Sequence, residues 1–296
     1  MANQKKKLST NVAGNFYVDS TCINCDTCRQ VAPTSFREVG DYSAVVRQPE
    51  SNDQVHQAYQ ALLACPVGSI GTVRSEKTRL RAAMENFPLR LDGGVYYNGF
   101  NSEKSFGANS FFIEHPDGNW MIDSPRYIKH LVDAFEQKGG IAYIFLTHED
   151  DIADSANYAA QFHAKRIIHQ ADGDAVPGAE WVIQGDEAVP VAPQFQVIPV
   201  PGHTQGSSAL LYDERFLFTG DHLWWDPERR ELDAPQRLVR SEPALQRSIA
   251  RLLGFRFEWV LAGHGDRVHL PVADMHAHLR ALLQRRHAPV TVSGAP

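Results

Sequence analysis

Cys22, Cys25, Cys28 and Cys65 are the only thiols in a chain of 296 residues, and the first three recur at every third position. That spacing is too tight for independent disulfides, and it bends the backbone so that three sulfurs face one side of a small inorganic core. The fourth thiol, Cys65, is followed at once by Pro66, which stiffens the closing ligand. A triplet plus one distant cysteine before proline is the ligand pattern of a 4Fe–4S cluster. Where a second cluster would take its thiolate from the run, the residue is Ala32, before Pro33, so one cluster is expected rather than two. Two disulfides and a four-thiolate zinc site are the competing readings. Nothing marks the chain as secreted, which disfavours disulfides. Zinc sites usually use two separated Cys-x2-Cys pairs.

Histidines and carboxylates recur later, each group following an apolar run. The first is Thr147-His148-Glu149-Asp150-Asp151-Ile152-Ala153-Asp154. In an extended chain, residues two apart share a side, so His148 and Asp150 can face one metal while Glu149 points away. Asp154 falls at the start of the next expected helix. The other groups are Pro201-Gly202-His203-Thr204, Thr219-Gly220-Asp221-His222 and Ala262-Gly263-His264-Gly265. In each of these a glycine precedes the candidate ligand and lets the backbone turn the side chain inward. Each group alone is a weak signal. A lone histidine after a strand is commonly a structural hydrogen-bonder, and acids or Ser155 at a helix start cap free amides. His222 is suited to orienting a ligand or a bound water. His163 and His169 read as structural, and Trp224 and Trp225 as packing or as a pocket wall.

Three stretches must position these residues. Residues 1–75 form a small first region, with a strand at 15–19, a helix at 51–63 that delivers Cys65, and a closing strand at 70–73. Residues 76–87 read as a charged linker with helix as the alternative. Residues 88–296 alternate strands and helices. They hold an expected hairpin at 111–113 and 120–122 around Pro116-Asp117-Gly118-Asn119, and helices at 127–137, 155–162, 242–253 and 275–285. Strands are expected at 142–145, 166–168, 195–200, 208–211, 216–218 and 259–261, and a loose Pro/Gly/Ser-rich tail after His287. Hydrophobic content of 43% supports a real core, and a net charge of −6 argues against nucleic acid or an anionic membrane as partner. Lys5-Lys6-Lys7 lacks a following apolar stretch and reads as a solvated tail rather than a signal peptide. No run reaches the length of a membrane span. Thiolates that hold iron need a reducing compartment, so a soluble cytoplasmic protein is expected.

Over roughly Pro88 to Arg285 the sequence resembles the metallo-β-lactamase superfamily, through PGHT at 201–204, TGDH at 219–222 and AGHG at 262–265. The whole chain is similar to ferredoxin–metallo-β-lactamase fusion proteins. The resemblance implies a two-domain α+β architecture: a ferredoxin-like 4Fe–4S domain followed by an αββα metallo-β-lactamase sandwich. The superfamily's first motif, His-x-His-x-Asp-His, is stretched in the fusion proteins to His-x-Asp-Asp-x-Ala-Asp-His. His148, Asp150, Asp151, Ala153 and Asp154 match that form, and Ser155 replaces the closing histidine. By matching position, His148, Asp150 and His203 would form metal site 1, Asp221 would bridge, and Asp154 with His264 would form site 2. Ser155 removes one imidazole from site 2, which leaves it weak, completed by water or empty, with Asp151 as a substitute ligand. Asp150 in place of a histidine enriches the site in hard oxygen and moves its preference from zinc toward iron or manganese. The implied cofactors are one 4Fe–4S cluster and one or two divalent metals, iron or zinc.

Three functions compete on these residues. In a hydrolase, a metal-bound water attacks an ester-like bond of a small molecule, with Asp154 orienting the water as base and Asp221 bridging. In an oxidoreductase, an electron-donor protein feeds the cluster, which reduces a mono- or di-iron site. The flavodiiron oxidoreductases, on the same fold, also carry a carboxylate at the Asp150 position. In the third reading the pocket is degenerate and the chain is an electron carrier. Hydrolysis is the commoner chemistry across the superfamily and is the leading expectation, with redox next. The fold alone hosts both.

Overall fold

In the computed structural model the described residues are 2–234 and 236–287, so the expected loose tail lies outside them. They divide into two compact units: the chain up to Ile183 together with Gly263–Gly265, and Gln184–Ala262 together with the chain from Asp266 onward.

The first unit begins with β1 (Phe16–Val18), α1 (Thr27–Val31), β2 (Phe36–Val39), β3 (Tyr42–Val45), α2 (Asn52–Ala64) and β4 (Ile70–Thr72). β1 pairs antiparallel with β4, Phe16 opposite Thr72, and β2 pairs with β3. This closes the thiol-bearing loop from both ends. α2 starts on a capping box in which Ser51 accepts from Gln54 N–H while Gln54 reaches back to the Ser51 amide, two otherwise orphaned donors satisfied at once. It stops at Cys65, because Pro66 has no N–H to continue the ladder. The linker is helical: α3 (Lys77–Glu85), with ion pairs Glu76–Arg79 at 2.8 Å and Arg81–Glu85 at 3.1 Å along its exposed side.

Next come β5 (Leu89–Asp92), β6 (Val95–Tyr97), β7 (Phe111–Ile113), β8 (Trp120–Ile122), α4 (Lys129–Gln137), β9 (Tyr143–Phe145), α5 (Ser155–Phe162), β10 (Lys165–His169) and β11 (Trp181–Ile183). They form a seven-stranded sheet in the order β11-β10-β9-β8-β7-β6-β5. β5 to β8 are antiparallel, and β8 to β11 are parallel. A short turn joins β5 to β6 and a long loop joins β6 to β7, whereas α4 and α5 supply the crossovers from β8 to β9 and from β9 to β10. β7 to β9 are apolar and almost wholly buried, as a strand covered on both faces requires.

The second unit holds β12 (Val189–Ala192), β13 (Phe195–Pro199), β14 (Ser208–Tyr212), β15 (Phe216–Gly220), β16 (Trp224–Asp226), β17 (Glu231–Asp233), α6 (Glu242–Leu252), β18 (Trp259–Ala262), β19 (Val268–His269) and α7 (Val272–His287). Its six-stranded sheet runs β12-β13-β14-β15-β18-β19, with β15 parallel to β18 across α6. Leu245, Ile249 and Leu252 repeat at helical spacing and bury one face of α6 on Ile198, Leu217 and Val260. Each such side chain contributes roughly 1.5–3 kcal/mol by leaving water. Trp225 packs on this core and meets the His278 ring edge-on at 5.1 Å, so it serves packing. Among the described residues, no helix is long and apolar enough to cross a membrane.

Candidate functional site

All four cysteines line one pocket, walled by Val18, Ile23, Pro66, Val67 and Ile70, and none is in a disulfide. Cys22 and Cys25 sit on the loop after β1, Cys28 in the first turns of α1, and Cys65 at the end of α2. Asn24 and Asp26, at φ 56° and 67°, turn the loop between the thiols. These two residue types tolerate that left-handed backbone best after glycine. Burial pushes the Cys25 thiol up to about 12 and raises Cys28 as well. Such thiols stay protonated at neutral pH unless a cation compensates the thiolate charge. Asn24 N–H donates to Cys22 Sγ at 3.4 Å, while the Thr27 and Ser69 hydroxyls lie 3.4 Å from Cys25 Sγ and Cys65 Sγ. The donor set, burial and hydrogen bonds to sulfur fit a 4Fe–4S cluster.

In the first unit, His148 follows β9, and the backbone then enters a 3-10 turn over Glu149–Asp151 rather than continuing extended. In a 3-10 turn side chains three apart eclipse, so Asp151 also folds in beside His148, on its Nδ1 side, while Asp150 lies on the Nε2 side. Asp151 is 1% exposed and its Oδ2 lies 4.0 Å from His148 Nδ1. Asp150 is 49% exposed, with Oδ2 3.9 Å from His148 Nε2. Neither spacing is a hydrogen bond. The His148 ring is set by Thr147, whose hydroxyl lies 3.0 Å from Nδ1 and meets both oxygens of Asp123.

Asp154 precedes α5 but makes no capping bond. Its Oδ1 takes Lys104 Nζ at 2.6 Å and its Oδ2 the Tyr127 N–H at 2.9 Å. Ser155 opens α5 and is buried. Asp151 and His264 offer ligand atoms within 4.8 Å of each other. On the AGHG loop the left-handed residue is Gly265 (φ 79°), after the histidine rather than before it. The His264 ring sits 6.3 Å from that of Phe106.

In the second unit, Gly202 takes φ 153°, and a methyl there would lie 2.8 Å from Leu245 Cα, so only glycine fits. His203 Nδ1 donates to the Leu238 carbonyl at 2.6 Å, which leaves Nε2 as the lone-pair nitrogen. Nε2 faces Asp221 Oδ2 at 3.8 Å. At that distance the pair makes no hydrogen bond, and it is somewhat wider than the about 3.3 Å between two ligands of one tetrahedral cation. Asp221 is presented by Gly220 at φ 52°, and the turn is tied by Thr219 Oγ1 donating to Leu223 O at 2.6 Å. The neighbouring His222 is 1% exposed and neither ring nitrogen has a hydrogen-bond partner. Burial, with His203 and Arg286 adding to it, lowers its pKa to about 3, so it stays neutral. His169 accepts from Ala171 N–H and His163 closes α5 in a left-handed conformation; both are structural.

Sequence reading missed the residues that back the cluster loop. Asn101 Nδ2 donates to Gly107 O at 2.7 Å and lies 3.2 Å from Thr27 Oγ1, and its own N–H reaches Ala64 O at 3.1 Å. Arg126 reaches Leu63 O at 2.9 Å. Asn101 sits in a run of small and polar residues over 98–110, which reads equally well as a plain loop.

Residues 18–72 match the family described as the 4Fe–4S single cluster domain of ferredoxin I, and residues 92–280 match the metallo-β-lactamase superfamily. Among curated proteins, a hydroxyacylglutathione hydrolase of Xanthomonas oryzae pv. oryzae is 32% identical over 175 residues, which is 57% of this chain and 66% of that protein. One from Xanthomonas axonopodis pv. citri is 28% identical over the same shares. The chain thus spans just under two thirds of the length of these relatives. Among solved structures, the metallo-β-lactamase FIM-1 of Pseudomonas aeruginosa in its mono-zinc form aligns with a TM-score of 0.52 at 13% identity, covering 68% of this chain and 95% of that one. DIM-1 metallo-β-lactamase gives 0.51 at 12%, covering 66% and 95%. At these identities the likeness is one of fold.

Proposed function

Because the chain belongs to the metallo-β-lactamase superfamily and carries an N-terminal 4Fe–4S single cluster domain, we propose that it is a metal-dependent hydrolase of an ester-like bond in a small molecule. The observation that carries this is the His203–Asp221 pair, buried, 3.8 Å apart, with the imidazole tautomer set by Leu238. The ligands would be drawn from His148, Asp150, Asp151, His203, Asp221 and His264. A divalent cation there would lower the pKa of a water and polarise the scissile carbonyl. Asp221 would orient the attacking oxygen and hold its proton. Asp154, engaged by Lys104 and Tyr127, would brace the loop rather than act as base. Neutral His222 would keep a second positive charge away from His203. The names of the relatives support an acyl-glutathione-type substrate as the first to try.

A second reading, electron delivery from the cluster to an iron site, is favoured by one contact: Asp26, next to Cys25, accepts from Gly265 N–H beside His264. An electron-donor protein would then be the partner.

Metal content and turnover of hydroxyacylglutathione and simple esters test the proposal. Asp221→Ala and Asp151→Ala should each lower metal retention at least about tenfold and lower turnover with it, whereas Asp154→Ala should keep its metal. Hydrolysis that survives removal of the metal, or an Asp221→Ala protein with parental metal and rate, refutes it. Iron whose redox state follows the cluster, without hydrolysis, selects the second reading.

A further inference from the structure

We infer that Asp26, inside the cluster-binding run, is a positioning residue for His264, so that the loop holding the cluster also sets the metal affinity of the AGHG loop. This rests on His264 being a ligand in the proposal above.

Both residues that flank His264 are tied to the same few residues. Gly265 N–H donates to Asp26 Oδ2 at 3.1 Å. The Gly263 carbonyl accepts from Asn109 N–H at 2.6 Å, and Asn109 Nδ2 donates to Gln30 Oε1 at 3.0 Å. Gln30 in turn donates through Nε2 to Asp26 Oδ1, which closes the circuit. The two ends of this clamp, Asp26 and Gln30, bracket Cys28 at the start of α1. Its path to His264 is two bonds of backbone on one side and one asparagine on the other.

The electrostatics agree with the geometry. Burial raises the Asp26 carboxyl above its ordinary range, and the largest opposing influence is the His264 ring, ahead of Arg29. The geometric link is through backbone: fixing the Gly265 amide fixes the loop that presents the ring. Asp26 adopts φ 67°, a conformation set by the turn between Cys25 and Cys28. Any displacement of that turn moves the carboxylate and with it the partner of the Gly265 amide. A domain merely tethered as a carrier would need none of these bonds.

Zinc is the probe. Full-length, cluster-loaded protein is equilibrated with zinc against a competing chelator, retained zinc is read by elemental analysis, and electron paramagnetic resonance of the reduced cluster is recorded on the same samples. Asp26→Ala should weaken zinc binding by about tenfold or more with the cluster signal intact. Asp26→Asn, which keeps an oxygen acceptor for Gly265 N–H, should recover most of that loss. Parental affinity in Asp26→Ala, or an Asp26→Asn protein no better than Asp26→Ala, overturns the inference. Should Asp26→Ala not assemble a cluster, Asp26→Gly decides, since glycine adopts φ 67° without strain and removes the carboxylate; parental zinc affinity there is equally fatal. His264→Ala separates the two claims. If it keeps its zinc, the ligand reading fails; if it loses zinc while Asp26→Ala does not, only the positioning inference falls.

Discussion

Gly107→Ala places one methyl group in the metallo-β-lactamase part of the chain and should damage the cluster, whose ligand loop lies some 80 residues earlier. Gly107 has φ 89°, and a methyl there would sit 2.8 Å from Cys25 Cβ, 2.9 Å from Cys25 Sγ and 3.0 Å from Pro66 Cγ. Two costs follow. A side chain in left-handed backbone costs roughly 1–2 kcal/mol, and overpacking a filled site typically costs about 1–3 kcal/mol. Together they amount to roughly 2–5 kcal/mol, a large share of the roughly 5–15 kcal/mol that keeps a domain folded. Gly40→Ala is the control. Gly40 has φ 64° with nothing within 4 Å of the added methyl, so it carries the backbone cost alone. The difference, about 1–3 kcal/mol, corresponds to roughly 5- to 150-fold in an equilibrium. The assay is iron and sulfide per chain after anaerobic reconstitution and a graded chelator challenge, with the thermal midpoint alongside. Gly107→Ala should release iron at lower chelator than Gly40→Ala. Equal iron retention in the two variants refutes the claim that this loop is pressed against the cluster ligands.

Cys65→Ser should lose or degrade the cluster while the second unit keeps its far-ultraviolet signature; a full complement of four irons and an unchanged cluster spectrum would remove Cys65 from the ligand set. His222 gives a pH dependence of definite sign. Its folded pKa of about 3 lies below the unfolded value of 6.5, so its neutral form favours the folded state fully above pH 6.5. As pH falls from 6.5 toward 3 the unfolded chain takes up the proton and stability drops, by up to about 1.4 kcal/mol per pH unit. Parent and His222→Asn proteins unfolded at pH 7.5 and pH 5 should therefore differ by about 2 kcal/mol in their pH response. Parallel responses would mean the ring is already protonated or exposed.

Local chemistry was legible wherever it is carried by contiguous residues. The capping box at Ser51, the turn Pro116-Asp117-Gly118-Asn119 and the apolar runs of β7, β8, β13 and β15 each contain their own reason for folding. Short pieces were not. β2 with β3 and β16 with β17 are strands of three or four residues with mixed burial, which no alternation distinguishes from loop. β5 and β6 were hidden for the same reason, since Leu89-Arg90-Leu91-Asp92 is only half-buried.

The candidate site shows the same division one level up. Ligand-type residues were visible as motifs, but which carboxylate turns inward depends on a single turn of 3-10 helix. Extended backbone would turn Asp151 away from His148, whereas the observed turn buries it on the Nδ1 side and keeps the more exposed Asp150 on the Nε2 side. The turn is tied from a distance: the Glu149 amide donates to Asp172 Oδ2 at 3.1 Å, a partner 23 residues away that no local pattern announces. Asp154 is decided likewise by Lys104 and Tyr127, each from a different segment. A motif therefore specifies which atoms are available for chemistry, while hydrogen bonds from distant loops determine which of them remain available once the chain has folded. Asp26 carries this furthest. In sequence it is a spacer between two cysteines, and in the fold its carboxylate accepts from the Gly265 amide, 239 residues later.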